Sequence, residues 1–380
     1  MADAVAILAF WTSVLLIAYG YLGYPLVIYV LGRIHERPNR RMDILPRVSL
    51  IIPAYNEARV IEAKIQNCMQ LDYPKDKLEV LIGSDGSTDS TSRLILQAVT
   101  TCKVRGVIYS HRRGKAAVLN DLVRVASGEI VVFSDAASML EPMSLQALVS
   151  NFADPQVGCV SGVYCVGKAE RNLDAAQESG YWRYEKIIRV SESRLGGMLG
   201  AHGSMYAVRR DLFEPLDAAV INDDFVIPMT LLMKGYCCIY DTRAVAWEDA
   251  QEMAGFSRRI RIMRGNYQQI RLLLGKSGWL RRPLVLFQLL SHKVLRLLTP
   301  FFLFAMYGSS AWLLAYPGYR TAFAAQTFFY AAALFGLNSR LRAASMTVIA
   351  APYYFCMLNA AAIVAFCHIV SRKQNVVWKI

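Results

Sequence analysis

The chain has 380 residues, of which 55% are hydrophobic, with a mean hydropathy of +0.29 and a formal net charge of +13. That apolar content excludes an ordinary soluble domain. The positive balance suits either nucleic acid or anionic lipid headgroups plus an anionic substrate. Basic residues gathered beside apolar segments favour the second, with no nucleic acid.

From Ala4 to Gly32 the chain carries no charge. As a helix this stretch spans about 42 Å, more than the roughly 30 Å of bilayer hydrocarbon. Residues 4–32 therefore read as a transmembrane helix. A signal peptide fits less well, because no basic residue leads the run and the run is too long. Arg33, Arg37, Arg40 and Arg41 follow it, and Arg281 and Arg282 precede the next apolar stretch. Cations on that side place it in the cytoplasm, so residues 33–283 form one large cytosolic domain.

Inside that domain strands and helices alternate. Val48–Pro53 is a short, branched, apolar run that suits a buried parallel strand. Residues 57–70 carry helical spacing in Val60, Ile61, Ile65 and Met69. Leu78–Gly83 is a second strand and Thr91–Val99 a second helix. Val107–Tyr109, Ala116–Ala126 and Ile130–Phe133 complete the series as strand, helix and strand. The alternation predicts an α/β, Rossmann-like, mostly parallel sheet. Ligands of such sheets bind at the carboxyl ends of the strands.

The residues just after each strand are Pro53–Glu57, Ser84–Asp89, His111–Lys115 and Ser134–Ala137. They bring Glu57, Asp85, Lys115 and Asp135 to one rim. Any one of these loops alone reads as a turn or a helix cap; four in order make a nucleotide crevice. A carboxylate such as Asp85 can accept from a base or ribose. Lys115 offers a compact cation for a diphosphate. Asp135 suits a divalent ion, Mg²⁺ or Mn²⁺, held together with substrate phosphates. No phosphate-binding Gly-x-x-x-x-Gly-Lys loop is present, and no Gly-x-Gly-x-x-Gly follows the first strand. A P-loop ATPase and a dinucleotide oxidoreductase are thereby disfavoured.

Eight cysteines occur without a Cys-x-x-Cys spacing, and Cys237 and Cys238 are adjacent. Reduced, mostly buried thiols are expected. Residues 284–296 mix bulky apolar side chains with His292, Lys293 and Arg296 and read as an interfacial amphipathic helix. The region 297–371 holds about three further apolar segments, 297–319, 321–339 and 343–371. If each crosses once, Arg340 and Arg342 fall on the cytosolic side, whereas Arg372, Lys373 and Lys379 fall outside, against the charge rule. One stretch is then re-entrant or lies in the interface.

The segments "VSLIIPAYNE", "SDGSTDST" and "RRGKAAVLN" occur in order. With the apolar ends, they make the whole chain resemble a membrane-embedded family 2 glycosyltransferase of the GT-A fold. That branch includes the hyaluronan, cellulose and poly-N-acetylglucosamine synthases. The resemblance implies a nucleotide-sugar donor, a uridine diphosphate sugar first. Asp85 would meet the base, Tyr55 and Glu57 would share its pocket, and Lys115 would lie near the nucleotide. The family carries Asp-x-Asp where this chain has Asp135-Ala-Ala137, so the second acid is absent.

Further correspondences lie downstream. Gly200–Arg210 resembles a glycine-rich segment beside the acceptor pocket, which makes His202 a candidate sugar contact. Ile221-Asn-Asp-Asp-Phe225 matches the position of a Thr-Glu-Asp motif. Asp224 aligns with the catalytic base and Asp223 with its neighbour. A carboxylate there can take the acceptor hydroxyl's proton, and either acid can also cap the following helix. Residues 256–265 stand where the family has Gln-x-x-Arg-Trp. Arg258 replaces Gln, Arg261 matches Arg, and Ile262 replaces Trp. The two arginines share a helix face and suit a diphosphate leaving group, or else anionic lipid.

The function implied is inverting transfer of a sugar to a growing cell-surface or exopolysaccharide chain at the inner membrane. Transfer of one sugar to a lipid acceptor, polyprenyl phosphate or ceramide-like, is the alternative, supported by the missing Trp. A non-catalytic nucleotide-sugar-binding membrane subunit is a third. The partners expected are the donor, a glycan or lipid acceptor, and the bilayer; the sequence specifies no oligomeric state.

Overall fold

The computed structural model describes residues 1–102, 104–166, 173–248, 255–275, 279–338, 341 and 346–371. The chain divides into two compact units. One comprises residues 1–27, 255–275 and 286–375, and the other comprises 28–254, 276–285 and 376–380. The flanking cations Arg340, Arg342, Arg372, Lys373 and Lys379 lie outside the described residues.

The chain opens with α1 (Ala2–Ala18), a π-helical turn (Tyr19–Gly23) and α2 (Tyr24–Ile34) in one continuous helical run. The second unit then builds β1 (Val48–Ala54), α3 (Ile61–Met69), β2 (Leu78–Asp85), α4 (Thr91–Thr101) and β3 (Val104–Tyr109). It continues with α5 (Lys115–Val125), β4 (Ile130–Phe133), β5 (Met139–Leu140) and α6 (Ser144–Ser150). After these come β6 (Val157–Val166), α7 (Leu173–Arg194), β7 (Tyr206–Arg209), α8 (Asp223–Lys234) and β8 (Cys237–Glu248).

The eight strands form one sheet in the order β3-β2-β1-β4-β7-β6-β8-β5. The first four expected strands all form, and β3-β2-β1-β4 pair in parallel. β1 is central and all seven of its residues are buried, which is why its sequence is apolar without alternation. β7 reverses direction and pairs antiparallel with both β4 and β6. β8 runs parallel to β6, and the short β5 closes the edge antiparallel to β8.

The core lies between the sheet and its helices. Leu50, Ile52, Val80, Ile82, Val132 and Ala207 form one face, covered by Ile61, Ile65 and Cys68 of α3, Ile95 of α4 and Leu145 and Leu148 of α6. Truncating a fully buried leucine such as Leu50 to alanine costs about 2–5 kcal/mol. β1, β2 and β4 are therefore held in place, and the loops at their carboxyl ends inherit that rigidity.

The other unit is helical. It contains α1 and the following turn, α9 (Phe256–Leu274), the second half of α10 (Pro283–Gln288), α11 (Leu295–Trp312), α12 (Pro317–Phe335) and α13 (Ala351–Val370). α1 packs along α11, and α13 packs against α9 and α12. Three helical runs are long and apolar enough to cross a membrane: Ala2–Ile34, Pro283–Trp312 and Val348–Val370. In the second run the segment 284–296 continues directly into the following apolar stretch. The stretch 321–339 forms α12, which is not among the three. At the end of α11, Trp312 Nε1 and the Tyr316 hydroxyl both donate to Asp3, each at 3.1 Å. Such rings with one polar edge suit a membrane–water boundary.

Candidate active site

The site is built from strand ends. β1 runs into Tyr55-Asn56-Glu57, where Asn56 adopts a left-handed φ of 56°, tolerable for Asn. That turn is tied to the loop after β2. The Asn56 N–H donates to Ser87 Oγ at 3.1 Å, and Asn56 Oδ1 accepts from the Thr88 N–H at 2.8 Å. The Glu57 N–H donates to Thr91 Oγ1 at 2.8 Å. Asp89 Oδ1 accepts from the Thr91 N–H at 2.9 Å and so caps the start of α4.

Asp85 ends β2 and is buried. Its two oxygens accept from the backbone N–H groups of Arg113 and Gly114, at 2.7 and 2.8 Å. Gly86 has φ +65°, and a Cβ there would meet the Arg112 nitrogen and the His111 carbonyl carbon, each at 2.6 Å. Glycine is what lets the 111–114 loop lie against the end of β2. The Arg112 guanidinium carbon sits 3.9 Å from the centre of the Tyr55 ring. Tyr55, Asp85 and the loop that leads to Lys115 are thus one construction, and the carboxylate expected to meet a base also shapes the loop.

Lys115 begins α5 and reaches inward. Its Nζ lies 2.9 Å from Asp135 Oδ1 and 3.0 Å from Asp223 Oδ1. Asp223 and Asp224 start α8, where negative charge suits the helix N-terminus. Asp223 Oδ2 accepts from the Tyr206 hydroxyl at 2.9 Å. Asp224 Oδ2 accepts from the Gly203 N–H at 3.2 Å, and the Asp224 carbonyl accepts from the Ala201 N–H at 2.6 Å. A Cβ on Gly203 would lie 2.9 Å from Asp135 Oδ2 and 3.6 Å from Asp224 Oδ2. The two carboxylates therefore border the same small space, which a side chain at 203 would fill.

Three acids around one lysine set the proton affinities. Burial, with Asp223 next in effect, raises Asp224 to about 6, against the pull of Lys115. Burial alone would lower Lys115, but Asp135, Asp223 and Asp224 outweigh it and hold the ammonium above the usual lysine range. A carboxylate near 6 is ionised at neutral pH yet more basic than an exposed one, which suits a proton acceptor.

Among the described residues, no group of three or more His, Cys, Asp or Glu is arranged to hold a metal. Asp135, its side chain 35% exposed, keeps Oδ2 directed at the Gly203 space while Oδ1 meets Lys115. One carboxylate oxygen fits a Mg²⁺ or Mn²⁺ ion that arrives with diphosphate oxygens and water, not one caged by protein alone.

His202 is buried among Tyr164, Trp182 and Tyr240, its ring centre 4.9 Å from that of Trp182. Its backbone N–H donates to Ser161 Oγ at 3.1 Å. Arg258 and Arg261 lie on α9, in the helical unit. The tertiary structure thus gathers Lys115, Asp135, Asp223 and Asp224, and joins Tyr55 and Asp85 to the same rim.

Some participants escape a motif reading. Lys64 is fully buried; its Nζ donates to Ser134 Oγ at 2.7 Å and to the Ser138 carbonyl. It braces both ends of the segment that carries Asp135. Its signal in the sequence is a lysine on the apolar stripe Ile61, Lys64, Ile65, Cys68 of α3. Arg189, also buried, donates from Nη1 to the Gly200 carbonyl at 2.9 Å and steadies the loop that leads to Gly203.

The sequence profile described as Glycosyl transferase family 2 matches residues 49–216, which hold Tyr55, Glu57, Asp85, Lys115, Asp135 and His202. The chain carries a family 2 glycosyltransferase domain. The chain is 26% identical, with a TM-score of 0.74, to the mannosyltransferase PcManGT of Pyrobaculum calidifontis, solved in complex with GDP-Man and Mn²⁺. That likeness covers 98% of this chain and 100% of the other. It is 26% identical over 270 residues to the "Probable glycosyltransferase YdaM" of Bacillus subtilis, covering 65% of this chain and 62% of that one. It is 25% identical over 241 residues to the poly-beta-1,6-N-acetyl-D-glucosamine synthase of Staphylococcus aureus, covering 62% and 58%. The match thus spans about 60% of the length of these curated relatives.

Proposed function

We propose that this protein is an inverting, membrane-held glycosyltransferase that passes a sugar from a nucleoside-diphosphate sugar to an acceptor hydroxyl, its catalytic unit in the cytosol. The observation that carries this reading is the convergence of Lys115, Asp135 and Asp224 around Gly203. Asp224 accepts the proton as the acceptor oxygen attacks the anomeric carbon, and a single displacement inverts that centre. Asp223 keeps Asp224 basic and anchors Lys115. Lys115 offsets charge that grows on the departing diphosphate. Asp85, Tyr55 and Glu57 belong to the nucleotide pocket, and His202 stands beside the acceptor side. Asp135 would hold a divalent cation, which supplies Lewis-acid stabilisation of the diphosphate when bound.

The acceptor is a growing polysaccharide in the first reading, in line with the Staphylococcus aureus synthase. A second reading, one sugar onto a lipid, is favoured by Ile262 where processive relatives carry Trp. Full-length protein in lipid nanodiscs, given labelled UDP- and GDP-sugars, tests both. Polymer that resists lipid extraction supports the synthase, and a single extractable glycolipid supports the second. Turnover with no donor, or Asp224→Asn as active as wild type, would refute the proposal.

A further inference from the structure

Within the helical unit, two stretches of π-helix lie side by side, Tyr19–Gly23 and Leu289–Val294. The Tyr19 hydroxyl and Ser291 Oγ are 2.9 Å apart. The Tyr24 ring stacks on His292 with centres 5.6 Å apart and also touches Phe287. Arg296 Nε donates to the Gly20 carbonyl at 3.3 Å, and its guanidinium lies over the Tyr21 ring. A π-helical turn frees backbone groups from the regular ladder, and such turns gather at functional sites. Here one freed carbonyl is capped by Arg296.

Gln288, His292 and Arg296 follow at four-residue spacing on a helix long and apolar enough to cross a membrane. Gln288 is 0% exposed and His292 1%. Among the described residues, neither amide atom of Gln288 has a hydrogen-bond partner. A buried amide left unsatisfied at both ends carries an uncompensated desolvation cost, and in an apolar helix such a residue points to a ligand. The charge around it fixes the sign of that ligand. No Asp or Glu follows Glu252, so every charged side chain from Gly255 onward is a cation. The one acid in the unit is Asp3, bonded to Trp312, and Trp312 lies about 24 Å along α11 from Arg296.

We propose that Gln288, Ser291, His292, Lys293 and Arg296, with Tyr19, form a binding site for the phosphate headgroup of an anionic membrane lipid carrying a terminal phosphomonoester. The amide, imidazole, ammonium and guanidinium supply N–H donors for phosphate oxygens, and the hydroxyls complete the set. The apolar flanks of the helix accommodate the acyl or isoprenoid chain. Nothing in this site depends on the identity of the donor sugar.

The test uses the full chain in phosphatidylcholine nanodiscs, with and without dioleoyl phosphatidic acid, read by native mass spectrometry and thermal unfolding. One phosphatidic acid retained per chain is expected, with a raised unfolding temperature. Gln288→Leu should lower that retention at least tenfold, yet in phosphatidylcholine alone unfold no earlier than wild type, because it removes an unsatisfied amide. Lys293→Gln should lower retention similarly and supplies the measurement if the leucine variant folds poorly. Unchanged retention in both variants would overturn the proposal. So would equal retention of phosphatidylglycerol, or equal stabilisation by inorganic phosphate without the lipid, which would mark the ligand as a free ion.

Discussion

The ammonium of Lys115 lies 2.9 Å from the carboxylate of Asp135, with Asp223 on its other side at 3.0 Å. One cation thus serves acids from two separate elements, the end of β4 and the start of α8. Removing it leaves buried negative charge without compensation. Lys115→Met should destabilise the protein by about 3 kcal/mol, the scale for breaking a buried pair. It should also weaken donor binding at least tenfold. Calorimetry and nucleotide titration of the same sample check both; an unchanged unfolding temperature would show that the acids are already protonated.

Asp224 near 6 predicts two pH effects of opposite sense. As a base it must be ionised, so kcat falls as pH drops through about 6. Its folded-state pKa lies above the ordinary 3.8, so the ionised form is disfavoured by folding. The associated stability is fully present below about pH 4 and is lost as pH rises through 6. Asp224→Asn should therefore lower turnover by at least 10²-fold, yet stabilise the fold by about 3 kcal/mol at pH 7.5 and not at pH 3.5. Unfolding temperatures at the two pH values, beside a donor-turnover assay, provide the check.

Gly203 borders the space between Asp135 and Asp224. Gly203→Ala places a methyl 2.9 Å from Asp135 Oδ2, too close for the carboxylate to stay where it is. A displacement of that order typically costs about 10²-fold in rate. kcat/KM should fall by that factor while the unfolding temperature changes less, since the nearest neighbours of the added methyl are the two carboxylates. A loss of fold instead of rate would contradict this.

Asp85→Ala frees the N–H groups of Arg113 and Gly114. Two unsatisfied donors in a half-buried loop cost about 1–3 kcal/mol each. The loop that carries Lys115 would loosen, so KM for the donor should rise more than kcat falls. Steady-state kinetics with varied nucleotide sugar separates the two.

Lys64→Met should destabilise by about 1–3 kcal/mol, because Ser134 Oγ and the Ser138 carbonyl lose their buried donor. Burial lowers the pKa of Lys64, against Cys68, Asp135 and Glu248. The unfolded state therefore holds this proton more tightly, and wild-type stability should gain a rising component toward pH 10 that the variant lacks. Chemical denaturation across that range tests it.

The first four strands and the loops after them were legible because each signal is local. A short, branched apolar run such as Val48–Pro53 suits a buried strand, and an acid or lysine immediately after such a strand sits on the sheet's carboxyl rim. Family resemblance, not periodicity, pointed to Asp223 and Asp224 as more than a helix cap; their catalytic roles stay part of the proposal. Lys64 and Arg189 went unnoticed because burial of a charged residue is decided by what packs over it.

By itself, the sequence determined which chemistries are on offer: apolar ends able to enter a bilayer, four strand-loop units, and acids and cations at their tips. Only the tertiary structure decided that β7 turns antiparallel and carries the 200–205 loop back beside β4, so that Gly203 faces Asp135. It also decided that α8 starts where Lys115 can reach it. Strand direction and long-range approach depend on the packing of distant surfaces, whose energies no local pattern records.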